Sequence, residues 1–85
     1  MINLQQAFEY NENMLKMDGF DDCILGICCR IGQQTILAYD FDKVINKLMK
    51  TGKMSREEAV EYYEFNQLGA YMGEHTPCFI ERIKQ

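Results

Sequence analysis

Eighty-five residues, 47% of them hydrophobic and only one of them proline, are enough for one packed domain spanning residues 1–85 and exclude a disordered tail. Thirteen acidic against nine basic residues give a formal charge of −4, with the basic residues dispersed along the chain, which argues against direct nucleic-acid binding. No apolar run approaches the ~18 residues of a membrane span, and the N-terminus lacks the basic-then-apolar order of a secretion signal. The expectation is a cytoplasmic protein whose four cysteines are free thiols.

Residues 3–17 open on Asn3, a capping residue type, and place Leu4, Phe8 and Leu15 at helical spacing, which predicts an amphipathic helix closed by Asp18-Gly19. Residues 23–31 and 35–39 are two short apolar runs around a glycine-containing loop, the pattern of a β-hairpin. A helix over residues 22–30 competes with it, because a continuous apolar run carries no decisive period.

Asp40 can cap the next helix, in which Phe41, Val44, Ile45 and Leu48 share a face. Thr51-Gly52 ends it. Ser55 with Glu58 three residues later is a capping box that opens a helix to about Met72, stopped by Gly73 and Pro77. Residues 78–83 read as a last strand. The expected fold class is α+β, a three-stranded antiparallel sheet made of the hairpin and the C-terminal strand, packed with about three helices.

The last helix carries two apolar directions. Ala59, Tyr62, Tyr63, Asn66 and Ala70 cluster on one side, whereas Phe65, Leu68 and Met72 point the opposite way. A second face packed under the N-terminal helix accounts for this. So does a protein-partner or homo-oligomer surface built from Phe65, Leu68, Tyr71 and Met72 with Glu74 in the adjoining loop. Asn66 falls on the presumed core side, where its amide needs hydrogen-bond partners.

Cys28, Cys29, His75 and Cys78 are of the Cys3His type that holds structural zinc, but only His75 and Cys78 have close ligand spacing. A hairpin would also turn Cys28 and Cys29 to opposite faces. A pocket for a nucleotide shared between subunits would draw on Lys43, Lys47 and Arg30. There is no Gly-rich phosphate loop, no Ser-His-Asp arrangement and no histidine besides His75, so the chain is not expected to be an enzyme.

Gly19-Phe20-Asp21-Asp22, Tyr39-Asp40-Phe41-Asp42-Lys43, the stretch 54–62, Phe65-Asn66, Gly69-Ala70-Tyr71, Gly73-Glu74 and Thr76-Pro77 together resemble a set of short bacteriophage and bacterial proteins to which no activity is attached. The resemblance covers roughly residues 19–79. It implies a phage accessory protein in the bacterial cytoplasm that works by binding, for example as an inhibitor of a host defence enzyme such as a CRISPR effector. It supplies no catalytic residues and no ligand set.

Overall fold

A computed structural model describes residues 2–68 and 72–83, and the side chains of all of these except 67 and 68. The elements run α1 (Leu4–Tyr10), a 3-10 turn (Asp21–Cys23), β1 (Ile24–Cys28), β2 (Ile36–Asp40), α2 (Phe41–Thr51), α3 (Arg56–Tyr63), a wider helical turn (Glu64–Leu68) and β3 (Cys78–Ile80). The order of helix, hairpin, two helices and strand is the expected one, and the class is α+β.

α1 begins as a reciprocal capping box, with the Gln6 amide donating to Asn3 Oδ1 at 2.8 Å and the Asn3 amide donating to Gln6 Oε1 at 3.0 Å. The helix is shorter than its sequence suggests. It stops at Tyr10 because Asn11 is extended and its side chain is engaged elsewhere, accepting from the Asn13 amide and donating to the Thr35 carbonyl. Residues 12–17 still reach the core through Met14. Asp18-Gly19 makes its turn, with Gly19 at φ +84°, a conformation that suits glycine.

β1 and β2 form the antiparallel hairpin, pairing Ile27 with Leu37 and Cys28 with Ile36, with a bulge between Ile24 and Gly26. The strand reading of this segment therefore prevails over the helical one. The third strand corrects the expectation of an all-antiparallel sheet: β3 pairs with β2 in parallel, Ala38 opposite Cys78 and Tyr39 opposite Phe79. Parallel neighbours need a long crossover, and the whole stretch 41–77 with both of its helices supplies one.

The sheet order is β1-β2-β3, so the central strand is buried along its whole length. Leu37, Tyr39, Ile27 and Phe79 face the helices, while Cys28, Ile36, Ala38 and Cys78 share the other face. Aromatic rings link the sheet to the helices. Tyr39 lies 5.8 Å from Phe79, Phe79 lies 5.1 Å from Tyr63, and Tyr63 meets Phe41 edge-on at 5.1 Å.

α2 buries the four residues its spacing marks, Phe41, Val44, Ile45 and Leu48. Each is worth about 1.5–3 kcal/mol of burial. Gly52 closes the helix where a Cβ would come within 2.8 Å of Met54 Cε and 2.9 Å of the Leu48 carbonyl oxygen, so a side chain there would force the loop to move. α3 opens on the expected capping box, Glu58 N donating to Ser55 Oγ at 3.2 Å and Ser55 N to Glu58 Oε1 at 2.9 Å.

α3 ends earlier than expected. Regular α-helix gives way after Tyr63 to the wider turn of Glu64–Leu68, which shifts the phase of Asn66. Asn66 is consequently exposed rather than on the core face, and its amide donates back to the Tyr62 carbonyl at 3.0 Å.

Candidate functional site

Two large apolar side chains flank the segment that follows α3. Phe65, on the wider turn, is 78% exposed, and Met72, at the start of the next described segment, is 73% exposed. Ala59 and Tyr63 take the buried positions, and Phe65, two residues beyond Tyr63, falls on the opposite side of the helical path and points outward. Of the residues expected in a partner surface, Phe65, Met72 and Glu74 are all exposed. Tyr71 and the side chain of Leu68 lie outside the described residues.

Met72 and Asn66 border a small cleft of about 110 Å³ whose walls include Leu15, Met17, Pro77 and Phe79. Its floor is fixed from several directions. The Met17 amide donates to the buried Tyr39 hydroxyl at 2.8 Å, the Met72 amide donates to Thr76 Oγ1 at 2.8 Å, and the Leu15 amide donates to the His75 carbonyl at 3.2 Å. Gly73, at φ +99°, turns the chain between these contacts. The pins join residues far apart in the chain, so sequence spacing gave no sign of the cleft.

Glu74 and His75 sit in a polar cluster at the hairpin end of the sheet. Asn11 Nδ2 lies 3.1 Å from His75 Nδ1, and Arg30 Nη2 donates to the carbonyls of Gln34 at 2.9 Å and Glu74 at 3.4 Å. The Glu74 carboxylate stays exposed, 3.9 Å from His75 Nε2. This end of the surface is therefore pre-shaped, with the Arg30 guanidinium and the Glu74 carboxylate both present on it.

The structure brings together only part of the candidate zinc set. Cys28 and Cys78 flank β2 on one sheet face, close enough that Cys78, whose pKa burial pushes up first, is pushed up further by the neighbouring Cys28 thiol. Cys29 is exposed beyond the strand end, and His75 turns Nδ1 to Asn11. Among the described residues no three His, Cys, Asp or Glu side chains converge as metal ligands.

Of Lys43, Lys47 and Arg30, the two lysines line one pocket, together with Lys50 and Asp22, and Arg30 is not among its walls. Lys47 pairs with Asp22 at 2.7 Å and lies 5.7 Å from the Phe20 ring centroid, while Arg30 is held on carbonyls at the hairpin loop. No helix among the described residues is long and apolar enough to cross a membrane.

No family model matches the chain, no curated protein matches it in sequence, and no solved structure matches it in fold.

Proposed function

We propose that the chain is a non-catalytic protein-interaction module that docks through Phe65 and Met72, with Glu74 and the 72–77 loop on the rim. The carrying observation is the exposure of two large apolar side chains, Phe65 at 78% and Met72 at 73%, of which Met72 lines a cleft whose backbone is pinned from three directions. Exposed aromatic and methionine side chains next to preformed shape are the usual anchors of a docking patch. Glu64, next to Phe65 in sequence, and Glu74, two residues beyond Met72, are exposed carboxylates, and Lys16 lines the cleft. The occupant that fits is a protein surface with an apolar pocket rimmed by Lys and Arg, the charge pattern of nucleic-acid channels.

A bacterial defence enzyme such as a CRISPR effector has that chemistry, and with the resemblance to short phage proteins this reading makes the chain a phage-encoded inhibitor that acts by occlusion. Replacing Phe65 and Met72 together by serine tests it. The double variant should keep its unfolding midpoint while losing a partner that co-purifies with the wild-type chain from a bacterial cytoplasm. A variant that unfolds would show the two residues to be core, and one that retains the partner would move the docking surface elsewhere.

A further inference from the structure

His75 is half-buried where the segment after α1, the hairpin loop and the loop before β3 meet, and its ring and main chain serve different neighbours. Nδ1 faces the side-chain amide of Asn11 at 3.1 Å, Nε2 lies 3.9 Å from Glu74 Oε1, and the carbonyl accepts from the Leu15 amide at 3.2 Å. The ring thus stands between a neutral donor on one segment and an exposed carboxylate on its own loop.

Asn11 cannot adapt to a second ring proton. Its Oδ1 accepts from the Asn13 amide at 3.1 Å and its Nδ2 donates to the Thr35 carbonyl at 2.9 Å, so Nδ2 is the atom that meets His75 Nδ1. A proton on Nδ1 would set two donors against each other. Turning the amide over to accept that proton would bring Oδ1 against the Thr35 carbonyl and Nδ2 against the Asn13 amide, two hydrogen bonds lost for one gained. Glu74 has the opposite preference, because its carboxylate attracts an imidazolium. Arg30, the cation at this end, is occupied by the carbonyls of Gln34 at 2.9 Å and Glu74 at 3.4 Å, which holds the Glu74 main chain while the His75 ring moves. Glu12, which follows Asn11, is exposed and has the same sign of charge as Glu74.

We propose that His75 is a proton-operated latch: neutral, it ties the segment after α1 to the loop before β3 through Asn11, and protonated, it leaves Asn11 for the Glu74 carboxylate and frees that side of the loop. Histidine side chains change charge between about pH 8 and 5, so the exchange lies in the physiological range. The loop supplies two of the contacts that fix the cleft, the Met72 amide on Thr76 Oγ1 and the Leu15 amide on the His75 carbonyl, so release loosens the wall formed by Leu15, Thr76 and Pro77. One contact replaces another, so the change is local and the global unfolding midpoint moves little. The latch is independent of any partner at Phe65 and Met72.

NMR of the full chain between about pH 7.5 and 5.5, reading the nitrogen-15 shifts of the His75 ring together with amide hydrogen exchange, tests it. As Nδ1 gains its proton, the protection factor of the Leu15 amide, which already allows for the intrinsic pH dependence of exchange, should fall about tenfold, the equivalent of one lost hydrogen bond. His75→Asn offers Oδ1 in place of Nδ1 and takes up no proton, so it should keep that amide protected across the whole range. A Leu15 protection factor that stays constant while the ring titrates overturns the latch, as does a ring that stays neutral throughout. An equal fall in His75→Asn overturns it as well, and the wild-type series decides alone should that variant fail to fold.

Discussion

The side-chain amide of Asn11 stands 3.1 Å from Nδ1 of His75, tying the end of α1 to the loop before β3 across 64 positions of sequence. The amide's orientation is set by its other two contacts, Oδ1 accepting from the Asn13 amide at 3.1 Å and Nδ2 donating to the Thr35 carbonyl at 2.9 Å. Asn11 therefore donates to Nδ1, and the neutral imidazole carries its hydrogen on Nε2. Nitrogen-15 NMR at neutral pH should report the Nε2–H tautomer. Asn11→Ala should cost about 1–2 kcal/mol and speed hydrogen exchange at the Leu15 amide, whose acceptor is the His75 carbonyl.

Asp40 ends β2 and begins α2 with one buried carboxylate, 3% exposed. Its Oδ1 accepts from the amides of Asp42 and Lys43 at 3.0 and 3.4 Å, and its Oδ2 accepts from Arg82 Nη2 at 2.9 Å. Asp40→Ala should lower stability by about 0.5–2 kcal/mol, the usual range for a lost N-cap. Arg82→Ala leaves the cap intact but removes the charge partner, and should cost less than Asp40→Ala. Equal losses in urea titrations of the two variants would show that the cap itself contributes little.

Stability should be flat near neutrality and fall on both sides. On the acid side, the Ser55 amide and hydroxyl hold the Glu58 carboxyl below its ordinary 4.5, and Lys47 holds Asp22 below 3.8. Depressed carboxyl values stabilise the fold above the unfolded pKa, and that contribution is lost as pH falls through the folded one. On the alkaline side, burial raises Cys23 and Cys78 above 9.0 and Tyr39 and Tyr63 above 10.0. For these groups the unfolded chain loses its proton first, so stability falls as pH rises above about 9. Thermal midpoints across pH 3–11 should trace a plateau with both shoulders.

The four thiols should react in order of access and acidity. Cys29 is exposed, Cys28 and Cys78 are half-buried, Cys78 has a raised pKa, and Cys23 is buried with its pKa raised chiefly by that burial. A thiol-specific reagent at neutral pH should titrate one fast group, two slow ones and one that waits for unfolding. Cys29→Ser should remove the fast phase alone.

Local chemistry was legible in the sequence and long-range geometry was not. The Ser55–Glu58 box, the Asp40 cap and the Phe41, Val44, Ile45, Leu48 face each depend on residues within a few positions, and each forms as read. The sense of β3 was not legible, because it depends on where a crossover of two helices delivers the chain. The early end of α1 depends on Asn11 partners tens of residues away. Phe65 and Met72 stood out as apolar residues off the Ala59 and Tyr63 side, but the widened turn after Tyr63 is invisible to a constant ~100° per residue. That one change of phase also misplaced Asn66 on the core side.

The most direct test of the docking claim is site-specific photo-crosslinking in a bacterial cytoplasm, with a photoreactive phenylalanine analogue at position 65 and, as a control, at the comparably exposed Tyr10 on α1. The account predicts one discrete crosslinked band from position 65 that is absent from position 10. No band at either position, or the same bands at both, would contradict a docking surface at Phe65 and Met72.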